Sequence, residues 1–195
     1  MRFIPKYLSI AVIGLILTTN PCLAQEARPR SFYGVEALSG WGQASLKTKQ
    51  DYHFIPFIVD FDFDLKKLNQ GLKYNYPGLL QFQIEPVFSL VLQPNHNMEL
   101  GNTFALKAGI LPEDFTFQPY IKCGVGGIHL TQHIPEQSTQ LNFTEHVGAG
   151  ASYFFDEKTA LNCEVRFRHV SNGGIKSPNK GIGSYVTLMG MTRKF

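Results

Sequence analysis

The stretch LNCEVRFR, residues 161–168, alternates strictly between apolar and polar side chains. This is the period of a β-strand with two unlike faces. The stretch HFIPFIVDFDFDL, residues 53–65, keeps its odd positions mostly apolar and ends with aspartates at three successive even positions. A soluble sandwich also alternates, but its strands are usually shorter. Strands of about a dozen residues with one apolar face favour a barrel whose outside contacts lipid and whose interior is polar.

Eight such runs follow the first thirty residues, and none shows a helical period. The runs are residues 31–45, 51–65, 79–93, 98–111, 115–131, 140–155, 159–172 and 182–195. Clusters of turn-forming residues, such as Asn75-Tyr76-Pro77-Gly78, separate them. The last run ends on Phe195, as the terminal strand of many outer-membrane barrels does. The predicted fold is therefore all-β, an eight-stranded antiparallel transmembrane β-barrel.

The composition is typical of a single folded domain. The chain has 195 residues, of which 44% are apolar and 17% are charged, and its formal net charge is +3. So low a charged fraction argues against an intrinsically disordered chain. No run of Lys or Arg is long enough to follow a phosphate backbone, so nucleic acid is not expected as a partner.

Residues 1–24 are predicted to be a signal peptide. Arg2 and Lys6 flank the start of an apolar stretch, residues 8–17, and cleavage is expected before Gln25. A retained N-terminal anchor is the alternative, but the apolar stretch is short for a membrane-spanning helix. Residues 25–195 then form the barrel domain, in the outer membrane of a Gram-negative bacterium.

Two cysteines remain after the predicted cleavage, Cys123 in the fifth run and Cys163 in the seventh. The alternation places both side chains on the lipid-facing side. The sixth strand lies between them, and two inter-strand steps of about 4.8 Å exceed the usual span of a disulfide. Two free thiols are therefore expected.

The alternation of the seventh run continues to His169 and Ser171 and places both on the lipid face. With both termini in the periplasm, the seventh strand of an even-numbered barrel ends at the cell surface. A His and a Ser two residues apart on one face can share a proton. Polar residues that face lipid are costly, and two interpretations are open. The pair either lies at the headgroup level, where polarity is tolerated, or forms an esterase site that faces the outer leaflet.

The segment around this pair resembles a known family. Arg168-His169-Val170-Ser171-Asn172-Gly173-Gly174, followed by Pro178-Asn179 and Gly181, is similar to the active-site segment of the lipid A 3-O-deacylases, the PagL-like outer-membrane esterases. The similarity extends more loosely through residues 119–120, 124–126 and 141–144. It implies an eight-stranded barrel with a Ser-His-Glu triad, which hydrolyses the ester-linked acyl chain at the 3-position of lipid A.

The resemblance also implies a role for each matching residue. Ser171 is the expected nucleophile, and His169 is the expected general base. Asn172 and Gly174 match the stretch that holds the oxyanion, and Asn179 matches a loop residue that supports it. Without the His-Ser pair, the Asn-Gly-Gly run would be interpreted simply as a surface turn.

The sequence departs from the family at the acid of the triad. The family's glutamate lies fourteen residues after the His, where this chain has Gly183. Glu145 in the sixth run stands alone among apolar neighbours on its face. If Phe155 and Thr159 close the turn between the sixth and seventh strands, Glu145 lies directly opposite His169, with Cβ atoms about 5 Å apart. We therefore expect Glu145 to replace the missing acid. The alternatives are that Glu145 is an interfacial glutamate near the headgroups, and that an enzyme without the family's acid is slowed or inactive.

Other functions remain as alternatives. A non-catalytic small barrel with an adhesive, protective or structural role is the main one. A porin is disfavoured because eight strands enclose too narrow an interior, and nothing in the sequence indicates the interior acyl pocket of a barrel acyltransferase. The expected partners are lipid A or lipopolysaccharide, as the substrate, and outer-membrane lipid. A homodimer with a second copy of the chain is left open. No cofactor is implied, and His129 and His133 are interpreted as solvated loop residues rather than a metal site.

Overall fold

A computed structural model describes residues 31–47, 50–66 and 76–195. The strands in these ranges are β1 (Phe32–Ser45), β2 (Asp51–Asp64), β3 (Gly78–Gln93), β4 (Asn97–Pro112), β5 (Phe117–Leu130), β6 (Leu141–Phe154), β7 (Thr159–Ser171) and β8 (Ile182–Lys194). They close into one antiparallel barrel in sequence order, in which β8 pairs with β1. The predicted eight-stranded fold is confirmed. The predicted signal peptide lies outside the described residues.

The strand ends agree with the sequence prediction to within two residues. The largest difference is at β5, which begins at Phe117 rather than at residue 115. A tight turn occupies residues 113–116 instead, and the Phe115 amide donates to the Pro112 carbonyl at 3.3 Å. Across the described ranges, no helix is long and apolar enough to cross a membrane.

The inner face of the barrel carries the charged residues. They pair with one another across the interior: Lys107 with Glu36, Lys122 with Asp60 and Glu85, Arg166 with Glu85 and Glu164, and Arg168 with Glu99. Such side chains are almost never fully buried unless they are paired, and here each is almost completely shielded from solvent. The interior is therefore filled with buried side chains, many of which are paired charges.

The outer face carries large apolar side chains, many of them half exposed, as a lipid-facing surface requires. Cys123 and Cys163 both lie on this face with free thiols, and β6 runs between their strands. The expected separation of the two cysteines is confirmed.

The two ends of the barrel differ in what they carry. The first residues of β1 pair with the last residues of β8, so that Gly34 faces Lys194. The start of β1 and the end of β8 therefore lie at the same end of the barrel. The opposite end, which we call the distal end, carries the loops 131–140 and 172–181. β7 runs toward this end and finishes there at Ser171.

Candidate active site

His169 and Ser171 occupy the last outward-facing positions of β7. Both side chains are half-buried, whereas the residue between them, Val170, points into the barrel and is completely buried. The alternation of the strand thus places His169 and Ser171 on the outer face at the distal end, as predicted.

The imidazole of His169 rests against the backbone of Gly181, the residue just before β8 begins. A Cβ atom at position 181 would lie only 2.4 Å from Cε1 of His169 and 3.0 Å from Nε2. Gly181 also has a φ of 70°, which side chains rarely adopt. A glycine is therefore required here for two reasons, because it makes room for the imidazole and because it permits the backbone turn.

Glu145 of β6 lies directly opposite His169 in the antiparallel ladder. The short turn sets this register, since the Phe155 amide donates to the Thr159 carbonyl at 2.9 Å. The pairing expected from the sequence is confirmed. Glu145 is also the single carboxylate on the outer faces of β5 to β8, strands that the structure describes in full.

Gly183 faces His169 from the other neighbouring strand, β8. The space that a side chain at 183 would enter is partly taken by Phe167, whose Cζ would be 3.0 Å from a Cβ there. The Phe167 ring in turn packs edge-on against Tyr185, with centroids 5.4 Å apart. His169 therefore has an aromatic surface toward β8 and a carboxylate toward β6.

The turn after Ser171 is built around Asn172, whose side chain is 1% exposed. Its Oδ1 accepts from the Gly174 amide at 2.9 Å, and its Nδ2 donates to the Lys176 carbonyl at 2.7 Å. Its own backbone amide donates to Oδ1 of Asn179 at 3.0 Å. All three residues expected at the oxyanion region are thus brought together, and each is engaged in hydrogen bonds within the turn. The Gly173 amide has no hydrogen-bond partner among the described residues.

The expected catalytic side chains share a face and a register, but they are not hydrogen-bonded to one another. In the described part of the chain, no side-chain hydrogen bond joins Ser171, His169 and Glu145. Catalytic hydrogen bonds are often long or poorly aligned without substrate. Polar groups that are free of structural bonds remain available to a ligand.

An open groove of about 560 Å³ lies beside His169 and Glu145. It crosses the outer surface from β7 toward β3, and most of its lining is apolar: Phe82, Phe104, Leu106, Cys123, Val125, Val147 and Phe167. At the turn, the Phe143 ring lies beneath Gly173, where a Cβ would be 3.1 Å from Cε2. His169 therefore borders the apolar groove, and Ser171 lies opposite Phe143 in the ladder.

Sequence reasoning did not find the contribution of the loop 131–140. Composition indicates a solvated loop, and His133 is exposed in it as expected. The expectation that His129 lies in a loop is wrong, because β5 continues to Leu130 and carries His129 on its outer face. Gln132, Glu136 and Gln137 are nevertheless buried, because the loop packs against the turn that follows Ser171. No periodicity marks such a contact in the sequence.

The family model for the lipid A 3-O-deacylases (PagL) matches residues 57–192, a range that contains Glu145, His169 and Ser171. This chain belongs to that family. The expected family resemblance is therefore confirmed over most of the barrel.

Individual relatives within and outside the family support the same fold. The lipid A deacylase PagL of Pseudomonas aeruginosa is 33% identical over 73 residues, which are 36% of this chain and 40% of that protein's length. The crystal structure of the outer membrane enzyme PagL superposes with a TM-score of 0.57 at 18% identity, over 81% of this chain and 97% of that one. Neisserial surface protein A (NspA) gives a TM-score of 0.59 at 13% identity, over 84% and 97%.

Membership of the lipid A 3-O-deacylase family, together with the closed barrel, places this protein in the outer membrane of a Gram-negative bacterium. The structural likenesses establish the barrel fold, since NspA matches as well as PagL does. The function of this family member therefore depends on its outer-face residues and not on the fold alone.

Proposed function

We propose that this protein is a lipid A deacylase that hydrolyses the ester-linked acyl chain at the 3-position of lipid A in the outer leaflet. The observation that carries the proposal is the placement of His169 and Ser171 on the outer wall of the barrel, with Glu145 opposite the His. An ester within a lipid reaches such residues directly from the membrane. The apolar groove beside them offers a surface for an acyl chain.

Ser171 acts as the nucleophile in this scheme. Its Oγ attacks the ester carbonyl carbon while its proton passes to His169. His169 then protonates the departing sugar oxygen, which leaves the acyl group on Ser171. A water molecule that gives its proton to His169 attacks the acyl-enzyme, and the carboxylic acid is released as the Ser171 hydroxyl is restored.

Glu145 serves as the acid that orients His169 and stabilises the imidazolium. Directly paired residues in an antiparallel ladder have Cβ atoms about 5 Å apart, within reach of a carboxylate and an imidazole. In this role Glu145 approaches from β6, whereas the family's acid position, Gly183, lies on β8. The geometry of a triad depends on roles and not on sequence position, so the substitution is chemically sound.

The oxyanion is stabilised by the turn after Ser171. Asn172 and Asn179 hold the turn through the hydrogen bonds described above, and Gly174 is bound within it. These three residues therefore support the oxyanion site by fixing the backbone. The Gly173 amide, which carries no hydrogen bond among the described residues, is the donor left available for the developing charge.

The proposal is tested by mass spectrometry of lipid A from a Gram-negative host that expresses the full chain. The wild type should remove one 3-hydroxyacyl chain, and Ser171→Ala or His169→Asn should lower this activity by about 10³-fold or more. Thr187→Ala, an exposed outer-face change on β8, serves as the matched control. Heat-modifiable migration of the folded barrel should be the same for all four proteins.

Two results would contradict the proposal in different ways. Near-wild-type turnover by Ser171→Ala in purified micelles would remove Ser171 as the nucleophile. Unchanged lipid A in cells that carry folded wild-type barrel would instead favour the alternative of a non-catalytic outer-membrane protein.

A separate question is whether the protein forms a homodimer. Sedimentation of the purified wild type in detergent would decide it.

A further inference from the structure

The two distal loops 131–140 and 172–181 are joined along their length by hydrogen bonds. The Lys180 amide donates to the Glu136 carbonyl at 2.9 Å, and the Ser138 amide donates to the Pro178 carbonyl at 3.0 Å. Gln137 forms an isolated bridge with Asn179. The turn that follows Ser171 is thus held from outside by a different hairpin of the barrel.

Ser138 contacts the turn that follows Ser171 through its side chain. Its Oγ donates to the Lys176 carbonyl at 2.9 Å and accepts from Nδ2 of Asn172 at 3.1 Å. Asn172 is the residue immediately after Ser171 and is almost fully buried. The Ser138 hydroxyl and the Asn172 side-chain amide therefore share the Lys176 carbonyl, and together they tie the residue next to Ser171 to the far side of its own turn.

A second contact reaches the residue before Ser171. Nε2 of Gln137 donates to the Val170 carbonyl at 3.3 Å, and the Gln137 side chain is buried. The loop 131–140 thus contacts the residues on both sides of Ser171, at the backbone carbonyl of Val170 and at the side chain of Asn172. The hydrogen bonds of the neighbouring Thr139 side chain, by contrast, stay within its own hairpin, where Oγ1 donates to Oδ1 of Asn142 at 3.1 Å.

We propose that Ser138 is a positioning residue for the esterase site. The inference rests on the proposed function, because it assigns Ser138 the task of holding Ser171 and the Gly173 amide where the reacting ester needs them. Ser138 does not touch the reacting atoms. It acts through Asn172, whose side chain spans the turn from Ser138 to Gly174. A displacement of about 1 Å at a nucleophile lowers turnover by a large factor without changing how the rest of the substrate binds.

The test compares Ser138→Ala, Ser138→Thr and Thr139→Ala with the wild type in the full-length protein, using lipid A in detergent micelles. Ser138→Ala should lower kcat about tenfold and leave KM within about twofold. Ser138→Thr keeps the hydroxyl and should recover most of the loss. Thr139→Ala removes a hydroxyl from the adjacent residue and should retain wild-type kcat. The amides of residues 172–181 should exchange hydrogen faster in Ser138→Ala than in Thr139→Ala.

The outcomes separate this inference from the proposed function. An active wild type, an inactive Ser171→Ala and a fully active Ser138→Ala would overturn the positioning role alone. Equal losses in Ser138→Ala and Thr139→Ala, or no recovery in Ser138→Thr, would also overturn it. If the folded wild type were as inactive as Ser171→Ala, the proposed function would fail and the catalytic part of this inference with it. Faster exchange confined to Ser138→Ala would then show that Ser138 holds the turn without serving a reaction.

Discussion

The inner and outer faces of β7 differ in the hydrogen bonds that neighbouring polar side chains make. On the inner face, Arg168 gives Glu99 two hydrogen bonds, at 2.7 and 3.1 Å, and lies 4.2 Å from the centre of the Phe54 ring. On the outer face, the next residue, His169, has no side-chain hydrogen bond within the described ranges. Buried polar groups need partners because an unpaired one destabilises the fold. Arg168 is therefore held by its buried partner, whereas, among the described residues, the ring nitrogens of His169 are free for the proposed reaction.

The largest expected effects come from exchanging one residue on each face. Arg168→Ala leaves Glu99 buried without its cation, which should cost about 3–5 kcal/mol of unfolding free energy. His169→Ala should leave that stability within about 0.5 kcal/mol but lower turnover by about 10³-fold or more. Urea unfolding of the barrel and lipid A hydrolysis measure the two quantities. Similar stability losses in both variants would break the contrast between the faces.

The second prediction concerns the one carboxylate on the outer faces of the described strands β5 to β8. Glu145→Gln keeps the shape of the side chain but removes the charge that holds the imidazolium, so turnover should fall about a hundredfold. Glu157→Gln is the matched control, since Glu157 is an exposed residue of the turn between β6 and β7. The measurement is kcat for lipid A in detergent micelles at saturating substrate. Equal activity in the two variants would exclude Glu145 from the mechanism.

The two faces of each strand, and the register across a short turn, can be predicted from the sequence. Alternation along β2 and β7 predicts which residues face lipid, because each strand has a period of two and one face must be apolar. The four-residue connection after β6 is short enough to fix the register, so the pairing of Glu145 with His169 could be predicted. The register on the β8 side would have followed less easily, since a ten-residue loop joins β7 to β8.

The contacts around the turn could not be predicted in the same way. Glu136 and Ser138 belong to a polar loop without periodicity, and their roles depend on a hairpin distant in sequence. The packing of His169 against Gly181 likewise depends on a positive φ that composition does not specify. Strand periodicity encodes faces and neighbours, whereas loop contacts arise from three-dimensional closure.

A smaller effect is expected at Gly181. Gly181→Ala places a methyl group where the imidazole of His169 lies and strains the left-handed backbone. Turnover should fall about tenfold because the ring must move. Gly181→Asn is the matched comparison, since asparagine adopts a positive φ more readily than alanine but brings the same Cβ against the imidazole. If Gly181→Asn recovers wild-type kcat, backbone strain rather than displacement of His169 is the cause of the loss in Gly181→Ala.

A partial recovery is expected when the acid is moved across His169. In the Glu145→Gln background, Gly183→Glu supplies a carboxylate from β8 and should raise turnover about threefold to fivefold. The gain is small because Phe167 partly fills that space, and adding Phe167→Ala should increase it further. The same Gly183→Glu change in the wild type should have little effect. If Gly183→Glu restores no turnover to Glu145→Gln, with or without Phe167→Ala, only the β6 side of the imidazole accepts an acid.

The smallest effect is expected at Cys163, which lies on the outer face outside the groove that contains Cys123. Both thiols should react with a small membrane-permeant maleimide, and a non-reducing peptide map should show them unlinked. Because Cys163 lies away from the groove, its modification in a Cys123→Ser protein should change kcat by less than about twofold. A disulfide between the two cysteines would contradict the strand order itself.

The paired charges that fill the barrel have a consequence for how the reaction is supplied and cleared. Since the interior is packed with ion pairs such as Lys107 with Glu36, neither substrate nor product has a route through it. A reaction at His169 and Ser171 takes place on the outer wall, so the lipid arrives and the fatty acid leaves by lateral diffusion in the leaflet. The relevant concentration for such an enzyme is a mole fraction in two dimensions. Diluting the substrate with inert lipid should therefore slow turnover, whereas diluting the whole suspension with buffer should not.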